Sequence, residues 1–337
     1  MEPNTQSRQQ AMTISRGDRS VRVFINQMKE SNEIDAAFFV KEKAVMSSRT
    51  GAPYLRLRLS DRTGEIEGRI WDGVEDFSPL FARGDFVKIK AQVTSYQDQL
   101  QLNIKSLKRC DQNEVSLDEF LPSCSRDPQE MLEELIEIGE TIENRYLKDL
   151  VMAFLRNSQF SDLFKRAPSA KRLHHVYLGG LLEHTLSVAH LIQEIQGHYP
   201  EINHDLLLAG GILHDVGKVH ELSYQKTFDY TDEGRLLGHI VIGVEMVDKE
   251  IEQIEEFPSE LAMLVKHLIL SHHGEYEWGS PKRPKILEAE ILHHLDDLDA
   301  KVNGIQGLME KREEGARWTE YHRMLERFFF IGDEEEH

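Results

Sequence analysis

At 337 residues the chain can hold two domains with separate cores, and no apolar run in it approaches the roughly 20 residues that a bilayer-spanning helix needs. Two cysteines, Cys110 and Cys124, exclude a disulfide framework, and the opening Met-Glu-Pro-Asn-Thr-Gln lacks a signal peptide's basic and apolar stretches, so a reducing cytoplasm and no membrane partner are expected. The net charge of −19 argues against nucleic acid only until it is divided: residues 1–110 hold 18 Lys and Arg against 14 Asp and Glu, or +4, and the remainder 22 against 45, or −23.

The first third can therefore meet a polyanion that the rest would repel. Residues 1–17 are expected to be a flexible N-terminus. From Asp18 the chain reads as strands. Ala36–Met46 is rich in Phe and Val, and Tyr54–Ser60 and Glu65–Trp71 alternate apolar and polar residues around the turn chemistry of Asp61-Arg62-Thr63-Gly64. Val74–Ala82 predicts a short helical piece ending near Gly84, and Phe86–Ser95 and Gln99–Lys108 form a hairpin across Tyr96-Gln97-Asp98. Five strands with a short helix between the third and fourth is the order of an OB-fold, so an all-β barrel is expected over residues 18–110.

Residues 111–128, polar and containing Pro122, Ser123 and Pro128, read as a linker. From 129 to 330 the pattern is helical throughout. Met131–Asn144, Tyr146–Arg156, Gly180–Ile195, His204–Asp215, Leu236–Glu252, Ser259–His273 and Pro284–Asn303 carry apolar residues at spacings of three and four. An all-α bundle is predicted, followed by an acidic tail over 331–337.

Within these helices a set of metal-binding residue types interrupts apolar faces. His184 lies in Leu-Leu-Glu-His-Thr-Leu, and His214 and Asp215 in Ile-Leu-His-Asp-Val-Gly-Lys, where Gly217 is read as stopping the helix. His239 follows in Leu-Leu-Gly-His-Ile, His272 and His273 in Leu-Ser-His-His-Gly, and Asp296 in His-His-Leu-Asp-Asp-Leu-Asp. Five helices of a bundle can bring such residues to its centre. Neutral imidazoles with carboxylates suit divalent Mn, Fe, Co or Ni. By contrast His174, His175, His198, His204, His220 and His322, taken singly, read as ordinary hydrogen-bonded histidines.

The order H…HD…H…HH…D over residues 170–305 resembles the HD superfamily of metal phosphohydrolases, making the bundle HD-type. With the OB-like module, and with Leu-Gly-Gly-Leu-Leu-Glu-His-Thr, Tyr-Thr-Asp-Glu-Gly-Arg-Leu-Leu-Gly-His and Ser-His-His-Gly-Glu-Tyr-Glu-Trp-Gly-Ser-Pro, the whole chain resembles the YhaM-type 3′–5′ exoribonucleases. That resemblance implies His184, His214, Asp215 and Asp296 as core ligands, with His239 and His272 completing a second site and His273 beside them. Asp296, Asp297 and Asp299 cluster, and the family's Asp-x-x-Asp pattern points to Asp296. It implies two divalent ions, manganese first among Mn, Fe, Co, Ni and Mg, and release of nucleoside 5′-monophosphates from a 3′ end. Such ions activate water and neutralise phosphate charge, with Asp215 bridging them. Lys218 and Arg235, the latter one turn before His239 on the same helix face, read as phosphate clamps or equally as solvated side chains.

Two surfaces are expected to handle substrate. In the loop after His273, Tyr276 or Trp278 can stack on a base and Lys282 or Arg283 can hold a phosphate, the alternative being aromatics that pin the loop to the bundle. In the barrel, a turn at Asp61–Gly64 sets Tyr54 opposite Trp71 and Arg56 opposite Arg69, aromatics and cations suited to single-stranded nucleic acid. The competing view tucks Trp71 inward and lets Glu65 or Glu67 neutralise the arginines. The expected substrate is single-stranded RNA, with single-stranded DNA second and a homo-oligomer left open. The rivals are a phosphohydrolase of small nucleotides with a regulatory OB module, and a non-catalytic nucleic-acid-binding adaptor.

Overall fold

The computed structural model describes residues 22–48, 50–97, 99–111, 114–170, 175, 177–224, 228–310, 315–323 and 325–332. The expected N-terminal segment 1–17, Asp98 of the hairpin turn, Gln112 of the expected linker, His174 and the tail from 333 onward lie outside the described residues. The chain divides into two compact units between Val115 and Ser116.

In the first unit, β1 (Glu33–Ser47), β2 (Pro53–Asp61), β3 (Gly64–Ile70), β4 (Phe86–Tyr96) and β5 (Gln99–Cys110) close a barrel in the order β1-β2-β3-β5-β4. A short helix, α1 (Val74–Phe77), lies between β3 and β4. Alternation drives the closure. Leu55, Leu57 and Leu59, with Ile66, Ile70, Ile89, Val93 and Leu102, form the buried core, while Arg56, Arg58, Lys88 and Lys90 are exposed. Each such apolar side chain contributes roughly 1.5–3 kcal/mol on burial. The hairpin has the register read from its turn, with Ser60 opposite Glu65, Arg56 opposite Arg69 and Leu55 opposite Ile70. A one-residue slip would turn the β2 leucines to water. β3 meets β5 in parallel, Arg69 facing Asn103.

The second unit begins inside the expected linker. Phe120 and Leu121 are buried, and the Cys124 N–H donates to the Leu178 carbonyl at 2.9 Å. These apolar side chains give residues 116–128 a core to join, so they are not a free connector. There follow α2 (Pro128–Glu140), α3 (Arg145–Leu155), α4 (Ser158–Phe164), α5 (Gly180–Ile195), α6 (His204–Leu213), α7 (Lys218–Glu221), α8 (Asp232–Leu236), α9 (Gly238–Ile251), α10 (Ser259–Ser271) and α11 (Leu287–Glu310). Asp127, Asn144, Asn157, Asn203 and Thr231 cap helix starts by accepting from first-turn N–H groups. α6 is buried along Leu206–Leu213 and packs on α2, α3, α5, α10 and α11, which makes it the centre of the bundle.

Three expectations of continuous helix fail. A two-stranded ribbon, β6 (Leu222–Ser223) with β7 (Asp229–Tyr230), interrupts the helices. Past α11, bridges join Trp318 to Phe330 and His322 to Arg327, because aromatic pairs Trp318–Phe330 and Tyr321–Phe328 stabilise facing extended segments. The helix expected over Leu236–Glu252 starts two residues late, as α9, because Leu236 closes α8 and Gly238 enters α9 with a φ of +75° that no ordinary helix admits.

Candidate metal centre and nucleic-acid interface

Five helices deliver the predicted cluster to one place. His184 projects from α5, His214 caps the C-terminal end of α6, and Asp215 sits in the turn that follows. His239 is the second residue of α9, His272 caps α10 with His273 next in the chain, and Asp296 lies in α11. Gly217 does not act as a helix stop through unusual backbone angles. A Cβ there would lie 2.0 Å from the His239 carbonyl oxygen, so its lack of a side chain lets the Asp215 turn press against α9.

Asp215 divides the cluster. Its Oδ2 lies 3.3 Å from His214 Nε2 and 3.7 Å from His184 Nε2, and Asp296 Oδ1 lies 3.1 Å from the same His184 nitrogen. Its Oδ1 faces the other way, 3.5 Å from His239 Nε2 and 3.6 Å from His272 Nε2. The ligand-type atoms of His184, His214 and Asp296 all lie within 4.8 Å of one another, as do those of His239, His272 and His273. Asp215 Oδ1, His239 Nε2 and His272 Nε2 are buried without a hydrogen-bond partner. Leaving one such group unsatisfied costs about 1–3 kcal/mol. Three of them converging fit a divalent cation, and the imidazole and carboxylate donors suit the transition-metal series.

Each imidazole is held from behind. His214 Nδ1 lies 2.8 Å from the Gly211 carbonyl, His272 Nδ1 2.7 Å from that of Ile269 and His273 Nδ1 3.0 Å from that of Trp278. His239 Nδ1 lies 3.0 Å from Glu221 Oε1, and His184 Nδ1 2.7 Å from Asp299 Oδ2. A proton on Nδ1 serves every one of these oxygens and leaves Nε2, aimed inward, as the nitrogen that could hold a metal. Asp299 therefore stands behind His184, and Asp297 pairs with Lys301 on the surface at 2.6 Å. Of the three clustered aspartates, Asp296 is the one beside the inward nitrogens.

Charge follows this geometry. Burial opposes ionisation of Asp215, but the neighbouring Lys218 and His214 hold its carboxyl well below the usual carboxylate range. Burial likewise works against a charged His184, yet the carboxylates of Asp296 and Asp299 prevail and raise it to about 9. Burial, then the neighbouring His239, pulls His273 down to about 4, and burial lowers His272 strongly. Lys218 is buried and donates to Asp215 Oδ2 at 2.5 Å, so the reading as a solvated helix-end lysine is wrong. Arg235 is the reverse case. It belongs to α8 rather than to the helix of His239, is largely exposed, and pairs with Asp229 at 3.0 Å. The chain breaks between α8 and α9 at Leu237, so spacing along the chain does not put Arg235 on the face of His239.

The loop after His273 is fixed to the cluster at one point and open at others. Trp278 accepts His273 Nδ1–H through its carbonyl and sets its ring 5.7 Å from that of His293, which combines the pinning role with an exposed aromatic. Tyr276 is exposed, with the Arg283 guanidinium 5.3 Å from its ring centre. Arg283 also pairs with Glu275 at 2.5 Å, and Lys282 is exposed.

On the barrel, Tyr54 and Trp71 stack at 4.7 Å, and Trp71 remains 41% exposed rather than tucked inward. Arg69 lies over Tyr54, Trp71 and Tyr96, at 5.8, 5.6 and 5.5 Å from their ring centres. It also donates to Glu67 at 2.7 Å, which relieves the opposition with Arg56 by an internal anion, as the competing reading supposed. Tyr96, read only as a turn residue, is half exposed and belongs to this face. Its placement depends on the parallel pairing of β3 with β5, to which no local pattern points.

Residues 181–301 match the HD domain family, and residues 38–109 match the OB-fold nucleic acid binding domain. The chain is 34% identical over 299 residues to the 3′-5′ exoribonuclease YhaM of Geobacillus sp. (strain WCH70), covering 88% of this chain and 91% of that one. It is also 34% identical to the protein of that name from Bacillus subtilis (strain 168), over 88% of this chain and 94% of the other. With that of Oceanobacillus iheyensis it shares 34% over 305 residues, 90% of this chain and 95% of the other.

Proposed function

The chain belongs to the YhaM family of 3′–5′ exoribonucleases, and we propose that it hydrolyses single-stranded RNA from the 3′ end to nucleoside 5′-monophosphates at the Asp215 cluster. The observation that carries this reading is Asp215 itself, whose two oxygens address two separate histidine groups. We assign one ion to His184, His214, Asp215 and Asp296, and a second to Asp215, His239, His272 and His273, with manganese the expected metal. When bound, such ions activate water and neutralise phosphate charge. The chain's own residues do the rest. Lys218 sets the orientation of Asp215 and places a cation where a phosphate oxygen can meet it, and the exposed rings of Tyr276 and Trp278 beside Lys282 and Arg283 offer a base and phosphate contact. Arg235, paired with Asp229 outside the cluster, is left as a surface contact for the nucleic-acid backbone.

The OB-fold face favours a polymer over a small nucleotide. Tyr54, Trp71 and Tyr96 around Arg69, with Arg56 exposed nearby, match the stacking and charge that single strands demand, and single-stranded DNA is the second candidate. Among the described residues no helix is long and apolar enough to cross a membrane, and both cysteines are free, which supports a cytoplasmic site of action. The test is metal-loaded protein with 5′-labelled single-stranded RNA and DNA, with and without a blocked 3′ end. A ladder shortening from the free 3′ end is expected, and intact polymer alongside cleaved small nucleotides would refute the reading.

Two expected results follow from particular groups. Trp71→Ala should weaken single-stranded RNA binding by about 1–3 kcal/mol if a base stacks there, and unchanged fluorescence anisotropy would remove this face from the interface. Because His184 titrates at about 9, its Nε2 carries a proton at neutral pH that a divalent ion must displace. Metal affinity should therefore rise about tenfold per pH unit from 7 towards 9 and then level off. Calorimetry in buffers of different ionisation enthalpy should find about one proton released per ion at this half of the cluster. Uptake without proton release would contradict the assignment of His184.

A further inference from the structure

We infer that His175 is a positioning residue of the metal centre, acting through Asp299 on His184, an inference that rests on the metal reading above. His175 Nε2 lies 3.1 Å from Asp299 Oδ2, the oxygen that also faces His184 Nδ1 at 2.7 Å. Ser187, on the same helix as His184, donates its hydroxyl to the other oxygen of Asp299. The carboxylate is thus gripped on both oxygens, and His175 shares the oxygen that sets the direction of His184.

His175 is itself held tightly. Its Nδ1 lies 2.8 Å from the Tyr177 hydroxyl, which donates to Glu183, the residue immediately before His184. Its backbone N–H donates to Asn303 Oδ1 at 2.8 Å, one turn beyond Asp299 on α11. Its carbonyl accepts from the Ser169 N–H, and Gly180 approaches so closely that a Cβ there would lie 2.1 Å from that oxygen. Within this frame His175 adopts a φ of +44°, a left-handed conformation uncommon outside glycine. Strain of this kind persists where the surroundings over-determine a residue for a purpose. Here it inserts a buried imidazole behind Asp299.

A third ion between His175, His184 and Asp299 is the competing use of these atoms, which lie within 4.8 Å of one another. It conflicts with the ligand role of His184, because a neutral imidazole has a lone pair on only one nitrogen. Coordination through Nδ1 would leave the proton on Nε2, which faces Asp296 and His214. A relay of hydrogen bonds leaves Nε2 available, and outer partners of this type tune metal affinity.

The experiment titrates Mn²⁺ into the full chain and into His184→Ala, His175→Ala, His175→Gln and Asp299→Asn, following bound ion by electron paramagnetic resonance and folding by thermal melts. His184→Ala identifies its ion by abolishing it. His175→Ala and Asp299→Asn should weaken that same ion by about 10–100-fold and leave the ion of His239 and His272 within about twofold. His175→Gln, whose amide can still donate to Asp299, should recover most of the loss. A merely structural role would weaken both ions together with the melting temperature and give no rescue by Gln, and that pattern would overturn the inference. So would unchanged binding in His175→Ala and Asp299→Asn proteins that still melt cooperatively. If His184→Ala keeps both ions, the metal reading itself fails and takes this inference with it. If His184→Ala loses one ion that His175→Ala retains, only the role of His175 is refuted.

Discussion

Asp215→Ala is expected to lose divalent metal from both halves of the cluster and to abolish hydrolysis. Its two oxygens face different histidine groups, so in the assignment proposed above it serves both ions. Losing several kcal/mol of transition-state stabilisation lowers the rate by about 10³-fold or more. The substitution also strands the buried Lys218 ammonium, which now donates to Asp215. Breaking a buried pair in this way costs about 3–5 kcal/mol, so alanine confounds lost chemistry with lost stability. Asp215→Asn separates the two, since it keeps the shape and an acceptor for Lys218 while removing the charge. Elemental analysis should show both variants depleted of metal, the Asn variant while still melting cooperatively. Full occupancy with normal turnover in either would eliminate the cluster as the site.

The second large effect distinguishes the two halves. His272→Ala should retain about one ion and lose activity on the order of 10²-fold, beyond the lower end of what outer partners alone produce. His272 Nε2 faces Asp215 Oδ1 at 3.6 Å, and its Nδ1 is committed to the Ile269 carbonyl. His239→Ala should behave similarly, with the difference that Glu221 loses the imidazole it now faces at 3.0 Å. Stoichiometry and single-turnover rates measured on the same preparations decide the matter. A variant with one ion and an undiminished rate would show that a single ion suffices.

Much of this was legible in the residue order because the determining interactions are local. The barrel followed from alternation and from Asp61-Arg62-Thr63-Gly64, which sets the register of β2 on β3 without reference to the rest of the chain. The candidate cluster stood out as polar residues on apolar helical faces, and the choice of ligands within it, Asp296 among them, came from the resemblance to the HD order. Tertiary contacts decided what was missed. Leu-Leu-Gly-His continues an apolar helical pattern, so the break at Gly238 and the separation of Arg235 from His239 were not visible. Lys218 reads as a solvated lysine until α6 and α9 enclose Asp215. Glu221 and His175 carry no signal of their own, because a residue that orients a ligand is recognised only by what lies in front of it. The barrel face shows the same limit, since Tyr96 reaches Arg69 through strands distant in sequence.

The oxygens that hold the five imidazoles belong to packed helices, the turns at their ends and the anchored loop at Trp278. These hydrogen bonds orient the proposed ligand atoms independently of any ion, so the donor set, mostly nitrogen, governs which ion fits. Calcium, which prefers an all-oxygen shell of higher coordination number, meets mostly nitrogen here, and magnesium must surrender tightly held water to donors it binds poorly. Iron and nickel take imidazole nitrogen readily, whereas manganese favours oxygen and would draw on the Asp215 and Asp296 carboxylates of the proposed site. Under the metal assignment proposed above, such a donor set is expected to disfavour calcium and magnesium, and competition of either ion against the bound metal would measure it.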